Sequence, residues 1–252
     1  MPASQVIYTL WLREMKWFIR GRMRIVQAVV QPFLWLAIIG VGMSSSVSLI
    51  GGGLNYLQFM APGIVGMTIL FSSTMSGVSV LWDKQFGFMK EILVAPVSRT
   101  HIMLGKALGG VTTSLLQGML LLLAAGLVGV WPPSIGAFVQ VFVFMIFISL
   151  SFVSFGLALA SRMSDPIAFP LVINFLIMPL YFLSGALFML RMAPDWMQAI
   201  AYFNPLRYGV DGLRGAILGI SDYSLWLDFG VLFFFSLAMV LLGGYLFRKA
   251  SA

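Results

Sequence analysis

Asp83-Lys84-Gln85-Phe86-Gly87-Phe88-Met89-Lys90-Glu91-Ile92-Leu93-Val94-Ala95-Pro96 separates two long apolar runs, in a chain that otherwise places almost no charge beside its hydrophobic segments. At about 100° per residue, Asp83, Lys84, Gly87, Lys90 and Glu91 share one face, while Phe86, Met89, Ile92 and Leu93 share the other. The pattern predicts a short amphipathic helix that buries one face against a bundle and offers the other to a partner. A solvated loop is the alternative reading of these residues alone. The chain around them decides between the two.

That chain has 252 residues, 60% hydrophobic and only 9% charged, with a mean hydropathy of +1.00. Soluble domains carry roughly 25% charged residues, so the composition excludes an ordinary soluble protein and leaves no room for a separate soluble domain. Residues 1–252 read as one membrane domain. The net charge of +7 sits at the ends of apolar runs, where lysine and arginine meet lipid headgroups. There is no basic stripe interleaved with aromatics, so nucleic acid is not an expected partner. With no cysteine, disulfides, thiolate metal sites and a cysteine nucleophile are excluded.

Residues 4–22 place Thr9, Arg13, Lys16 and Arg20 on one helical stripe and Tyr8, Trp11, Met15 and Phe18 on the opposite one. Such a helix lies in a membrane interface. The next apolar run, about Ile25 to Val47, follows Arg20, Arg22 and Arg24 as a secretory signal would, but it is longer than a signal core and reads as an uncleaved first span. Further spans are expected over Leu57–Trp82, His101–Val130, Ile135–Ser161, Ile167–Leu190 and Leu225–Phe247. Each has the roughly 20 apolar residues that cross a bilayer. Pro166 after Asp165 and Pro205 after Asn204 mark capped helix starts.

Counting basic residues sets the expected orientation. With the N-terminus inside, Arg13, Lys16, Arg20, Arg22, Arg24, Lys84, Lys90, Arg99, Lys106, Arg162, Arg248 and Lys249 lie on the cytoplasmic side, against Arg191, Arg207 and Arg214 outside. Six spans with both termini cytoplasmic follow, and residues 83–96 face the cytoplasm. Outside, residues 191–222 are apolar and too long for a plain hairpin. Pro194 starts one short helix through Ala201 and Asn204-Pro205 another through about Leu218, the pair expected as re-entrant helices in the outer leaflet. In the second, Arg207, Asp211 and Arg214 are spaced to pair along one face, and Gly212, Gly215 and Gly219 leave a flat surface for packing. A surface hairpin is the alternative.

The cores of the apolar spans hold no ionisable residue, Asp228 lying near the outer end of the last. Ion-coupled carriers and proton pumps usually need such groups at depth, which disfavours a secondary carrier. No histidine stands at depth to activate Ser184, and Gly105-Lys106 lacks the rest of a phosphate loop. Enzymatic activity, a metal site and a nucleotide site are therefore not expected of this chain. Ser72 and Ser76 in the second span, with Asn174, Met178, Tyr181 and Phe182 in the fifth, suit a path for bulky amphipathic molecules. For any one of them taken alone, plain helix packing is the better explanation.

Lys90-Glu91-Ile92-Leu93-Val94-Ala95-Pro96-Val97-Ser98-Arg99, followed by Gly105-Lys106, and Asn204-Pro205-Leu206-Arg207-Tyr208 with Asp211 and Arg214 carry a family likeness. Over essentially its whole length the chain resembles the permease of ATP-binding-cassette type-2 exporters, especially the bacterial multidrug and daunorubicin type. Nodulation-factor and polysaccharide exporters share the layout. The resemblance implies an all-α permease of the bacterial inner membrane that forms a homodimer and docks two copies of a separate ATPase, which carries the ATP and Mg. It implies that Arg13, Lys16, Phe86, Met89, Lys90, Glu91 and Arg99 couple to the ATPase. The second and fifth spans would then line the path, and Asn204, Arg207, Asp211 and Arg214 would belong to an outer gate. The expected activity is export of hydrophobic, drug-like compounds. Export of a lipid, polysaccharide or lipid-linked saccharide, or a structural or sensory role without transport, are the alternatives.

Overall fold

The computed structural model describes residues 3–40, 42, 55–88, 98–127 and 129–249, without the side chains of 22–25 and 27–29. These residues build helices and connecting turns, with no strand among them. Helix α1 (Ala3–Arg20) turns Leu10, Met15 and Phe18 inward and lies along α5 (Arg99–Gly126). Helix α2 (Arg22–Trp35) contains Pro32 and widens into a π-helical turn at Leu36–Gly40. A proline ring and its missing N–H disturb an α-helical ladder in this way.

Helix α3 (Tyr56–Met75) passes through a turn at Ser76-Gly77 into α4 (Val78–Gln85), so together they make one 30-residue rod. Helices α5 and α6 (Ile135–Arg162) have 28 residues each, and α10 (Leu225–Lys249) has 25. Ser98 and Ser134 cap α5 and α6 by accepting the backbone N–H of His101 and Ala137. Among the described residues these four rods are long and apolar enough to cross a membrane. Two expected spans are shorter. The first contributes the apolar helix Val30–Gly40, and much of the rest of that run lies outside the described residues. The fifth is α7 (Ala168–Phe182), whose 15 residues end at a turn through Gly185, where φ is +75°.

Between α7 and α10 stand α8 (Asp195–Tyr202) and α9 (Pro205–Leu218), at the positions that their proline starts predict. Asn204 caps α9 by accepting from the Leu206 N–H (3.1 Å) and ties it to α7 by donating to the Leu180 carbonyl (2.6 Å). Far from lying on a surface, α9 is buried along almost its whole length, wedged among α3, α6 and α10. Gly212 permits that approach, since a methyl group there would come within 2.3 Å of the Phe144 ring. Gly219 does not pack; with φ +73° it ends the helix.

Candidate functional site

Two cations and two carboxylates from three helices close into one network at the end of the bundle that carries α1. Lys106 on α5 has a side chain only 1% exposed, with Nζ 2.6 Å from Asp83 Oδ2. It also donates to Glu14 Oε1 (3.2 Å) on α1 and Ser79 Oγ (3.3 Å) on α4. An ammonium has three donors, and these three acceptors match them. Arg13 on α1 grips the same Asp83 with both terminal nitrogens, Nη1 at 3.1 Å from Oδ2 and Nη2 on Oδ1. Burial would lower the Arg13 pKa, but the hydrogen bond and charge of Asp83, with the charge of Glu14, raise it above the ordinary arginine value.

Small residues make this closeness feasible. A methyl on Gly105 would come within 2.8 Å of Leu10, and one on Gly109 within 2.6 Å of Glu14. The indole N–H of Trp11 donates to Thr112 Oγ1 (3.0 Å), a further α1–α5 tie.

Residues 83–88 of the opening stretch are therefore built differently from its helical wheel. Asp83 and Lys84 close α4 and continue the α3 rod, and Gly87 at φ +76° breaks away from it. Asp83 from the charged face is buried, whereas Phe86 from the apolar face is 77% exposed and stacks on Trp82. The α3–α4 rod sets the phase here, and the buried Lys106 supplies Asp83 with a partner. Lys84 Nζ donates to the carbonyls of Ala160, Ser161 and Met163 (3.2, 3.0 and 3.2 Å), capping the end of α6. Arg99 donates to the Arg248 carbonyl (2.9 Å). Lys16 lies on the α1 wall of a groove shared with α4. Met89, Lys90 and Glu91 lie outside the described residues.

Next to the network is a cleft of about 580 Å³ lined from α1, α2, α3, α5 and α7. Ser72, Ser76, Asn174 and Met178 all line it. Tyr181 and Phe182 do not: the first is buried with a hydroxyl that has no hydrogen-bond partner among the described residues, and the second is exposed. The walls also include Trp17, Trp35, Phe71, Thr113 and Gln117, which sequence reasoning missed, and Glu14, the one charged side chain of the lining among the described residues. A lone Lys106 within an apolar helix was a signal for a buried carboxylate partner, but it does not say which carboxylate.

At the opposite end, the expected pairing along α9 does not form. Asp211 accepts the backbone N–H groups of Asp222 (2.8 and 2.9 Å) and Tyr223 (2.9 Å). Arg214 donates to the Gly185 carbonyl (2.8 Å) and lies 3.9 Å over the Phe59 ring. Arg207 sits against the Tyr202 and Tyr223 rings, at 4.6 and 5.1 Å. A buried helix gives its polar groups partners on the surrounding chain, and those contacts displace solvent-type pairing along its own face. Asp228 is 0% exposed, and neither of its carboxylate oxygens has a hydrogen-bond partner among the described residues.

Four rods long and apolar enough to cross a membrane, beside a polar-lined cleft and tied at one end by a buried charge network, define an integral membrane protein. Residues 5–218 match the family model of the ABC-2 type transporter, and the chain belongs to that family of transport permeases. The inner membrane transport permease YadH of Escherichia coli K12 is 30% identical, over 93% of this chain and 91% of the relative. A putative transport permease, ycf38, of Cyanophora paradoxa is 31% identical, over 86% of this chain and 76% of the relative. The probable multidrug ABC transporter permease YbhR of E. coli K12 is 28% identical over 69% of this chain, which spans about half (48%) of that relative.

Proposed function

We propose that this chain is the transmembrane subunit of an exporter of hydrophobic or amphipathic, drug-like compounds, driven by a separate ATPase. Permeases of this family generally work with an ABC ATPase. Six spans place the α1 end in the cytoplasm, as the basic-residue count favours, and two permeases associate over two ATPase subunits. Lys90, Glu91 and Arg99 serve at the ATPase contact, and α8 and α9, with Asn204, Arg207, Asp211 and Arg214, serve as the outer gate.

One observation carries this reading. The cleft that contains Ser72, Ser76, Asn174 and Met178 is walled by α1, α3 and α5, the last of these joined to α1 and α4 through Lys106. A push on the end of α4 moves Asp83, and Asp83 cannot move without Lys106 and Arg13. The walls of the cleft then shift as a unit, a shear between packed helices.

Transport of the amphipathic dye rhodamine 6G into inverted vesicles tests the reading. Asn174→Trp and Met178→Trp fill the cleft and are expected to cut ATP-dependent uptake at least tenfold while the ATPase still co-purifies. Unchanged uptake with either variant would contradict a path through this cleft.

A further inference from the structure

A groove of about 780 Å³ runs between α1 and α4, lined by Arg13, Lys16, Trp17 and Arg20 on one side and by Trp82 and Phe86 on the other. Arg13, Lys16 and Arg20 recur at helical spacing, so one wall is basic over two turns of α1. Two carboxylates also reach the groove, Glu14 and Asp83. Both are already matched, Asp83 by Arg13 and Lys106, and Glu14 by Lys106. Lys16 and Arg20 are exposed and pair with no carboxylate among the described residues, so the wall keeps two unbalanced positive charges.

We infer that this groove binds an anionic phospholipid, its phosphodiester between Lys16 and Arg20 and its glycerol and upper acyl chains against the aromatic side chains. Charge complementarity and size select the ligand together. Phosphate is the natural acceptor for paired ammonium and guanidinium groups, but a free phosphate would fill only a small part of 780 Å³. Trp17 and Trp82 flank the basic wall at the end of an apolar rod, the level at which indoles and basic residues meet headgroups. The site lies one helix face away from the transport cleft, with Glu14 and Trp17 between them. A bound lipid would therefore brace α1 against α4 at the charge network. The inference does not rest on the transport reading and is tested on the permease alone.

The full chain, purified in neutral detergent without an ATPase, is titrated with phosphatidylglycerol, phosphatidylcholine or inorganic phosphate, and bound adducts are counted by native mass spectrometry. Phosphatidylglycerol is expected to bind at least tenfold more tightly than phosphatidylcholine. Lys16→Gln with Arg20→Gln weakens it about 30-fold, the loss expected for two basic groups at a headgroup layer. The charge-conserving pair Lys16→Arg with Arg20→Lys retains binding and controls for folding. Arg248→Gln with Lys249→Gln, at the same end but outside the groove, changes binding less than twofold. Equal binding of both lipids, an equal loss in the Arg248/Lys249 control, or occupancy by inorganic phosphate at the same concentration would overturn the inference. So would displacement of the lipid by an added ATPase subunit in one-to-one proportion, which would assign the groove to a protein partner.

Discussion

Lys106 holds Asp83 across the junction of α5 and α4, Nζ to Oδ2 2.6 Å, with 1% and 4% of the two side chains exposed. A pair this deeply buried is weak evidence for stability by itself, because desolvation offsets most of the Coulombic gain. Breaking it from one side is another matter. Without Lys106, Asp83 keeps Arg13, but Glu14 loses the cation that balances it and the network carries one carboxylate too many.

Lys106→Met is therefore expected to destabilise the chain by about 3–5 kcal/mol, read as a fall of roughly 10 °C in the thermal midpoint in detergent. Lys106→Met combined with Glu14→Gln leaves the Arg13–Asp83 pair balanced and should recover at least half of that loss. A single variant as stable as the wild type would remove the network from the account.

Gly109 controls whether α1 can reach the network. Gly109→Val pushes against Glu14, where even a methyl would stand 2.6 Å from its Cβ. Trypsin cleavage after Lys16 and Arg20 should accelerate severalfold as α1 lifts from α5. Gly244→Val is the control, because nothing lies within 4 Å of a methyl at that position. Equal cleavage rates in the two variants would show that α1 does not depend on this approach.

Gly212 does the corresponding work for α9. Gly212→Ala meets the Phe144 ring and should cost about 1–3 kcal/mol, the usual range for overpacking a core. Phe144→Leu in the same chain makes room and should restore part of the midpoint. A Gly212→Ala chain with an unchanged midpoint would place α9 outside the bundle.

Lys84 satisfies three carbonyls at the end of α6. Lys84→Met should cost about 1.5–3 kcal/mol, as for hydrogen bonds to a charged group. Hydrogen exchange should rise locally, over the last turn of α6, and not in α9. Exchange that rises equally in both helices would indicate global loosening instead.

What the sequence made legible was local. Proline starts placed α8 and α9, and runs of apolar residues placed the four long rods. Gly105 and Gly109 let α1 approach α5 closely. Asp83 was misread because a helical wheel drawn on residues 83–96 has no knowledge of the rod that precedes it. Its partner Lys106 is on another helix, and no spacing rule links the two. Arg207, Asp211 and Arg214 have ideal spacing for pairing along a helix, yet burial sends each to the chain around it. Of the six residues expected on a path, Ser72, Ser76, Asn174 and Met178 meet in one cleft. Tyr181 and Phe182 are the last two residues of α7, which stops well short of Leu190, and neither lines the cleft.

In the proposed function, a separate ATPase switches the cleft beside this network. The chain has no cysteine, so Asn174→Cys creates a unique thiol in the cleft wall. The measurement is its rate of labelling by a membrane-impermeant maleimide applied from the α1 side, in membranes that also contain the ATPase, with and without ATP under conditions that block hydrolysis. The account predicts rapid labelling without nucleotide and a fall of at least tenfold when ATP is bound. The same rate in both states would contradict it.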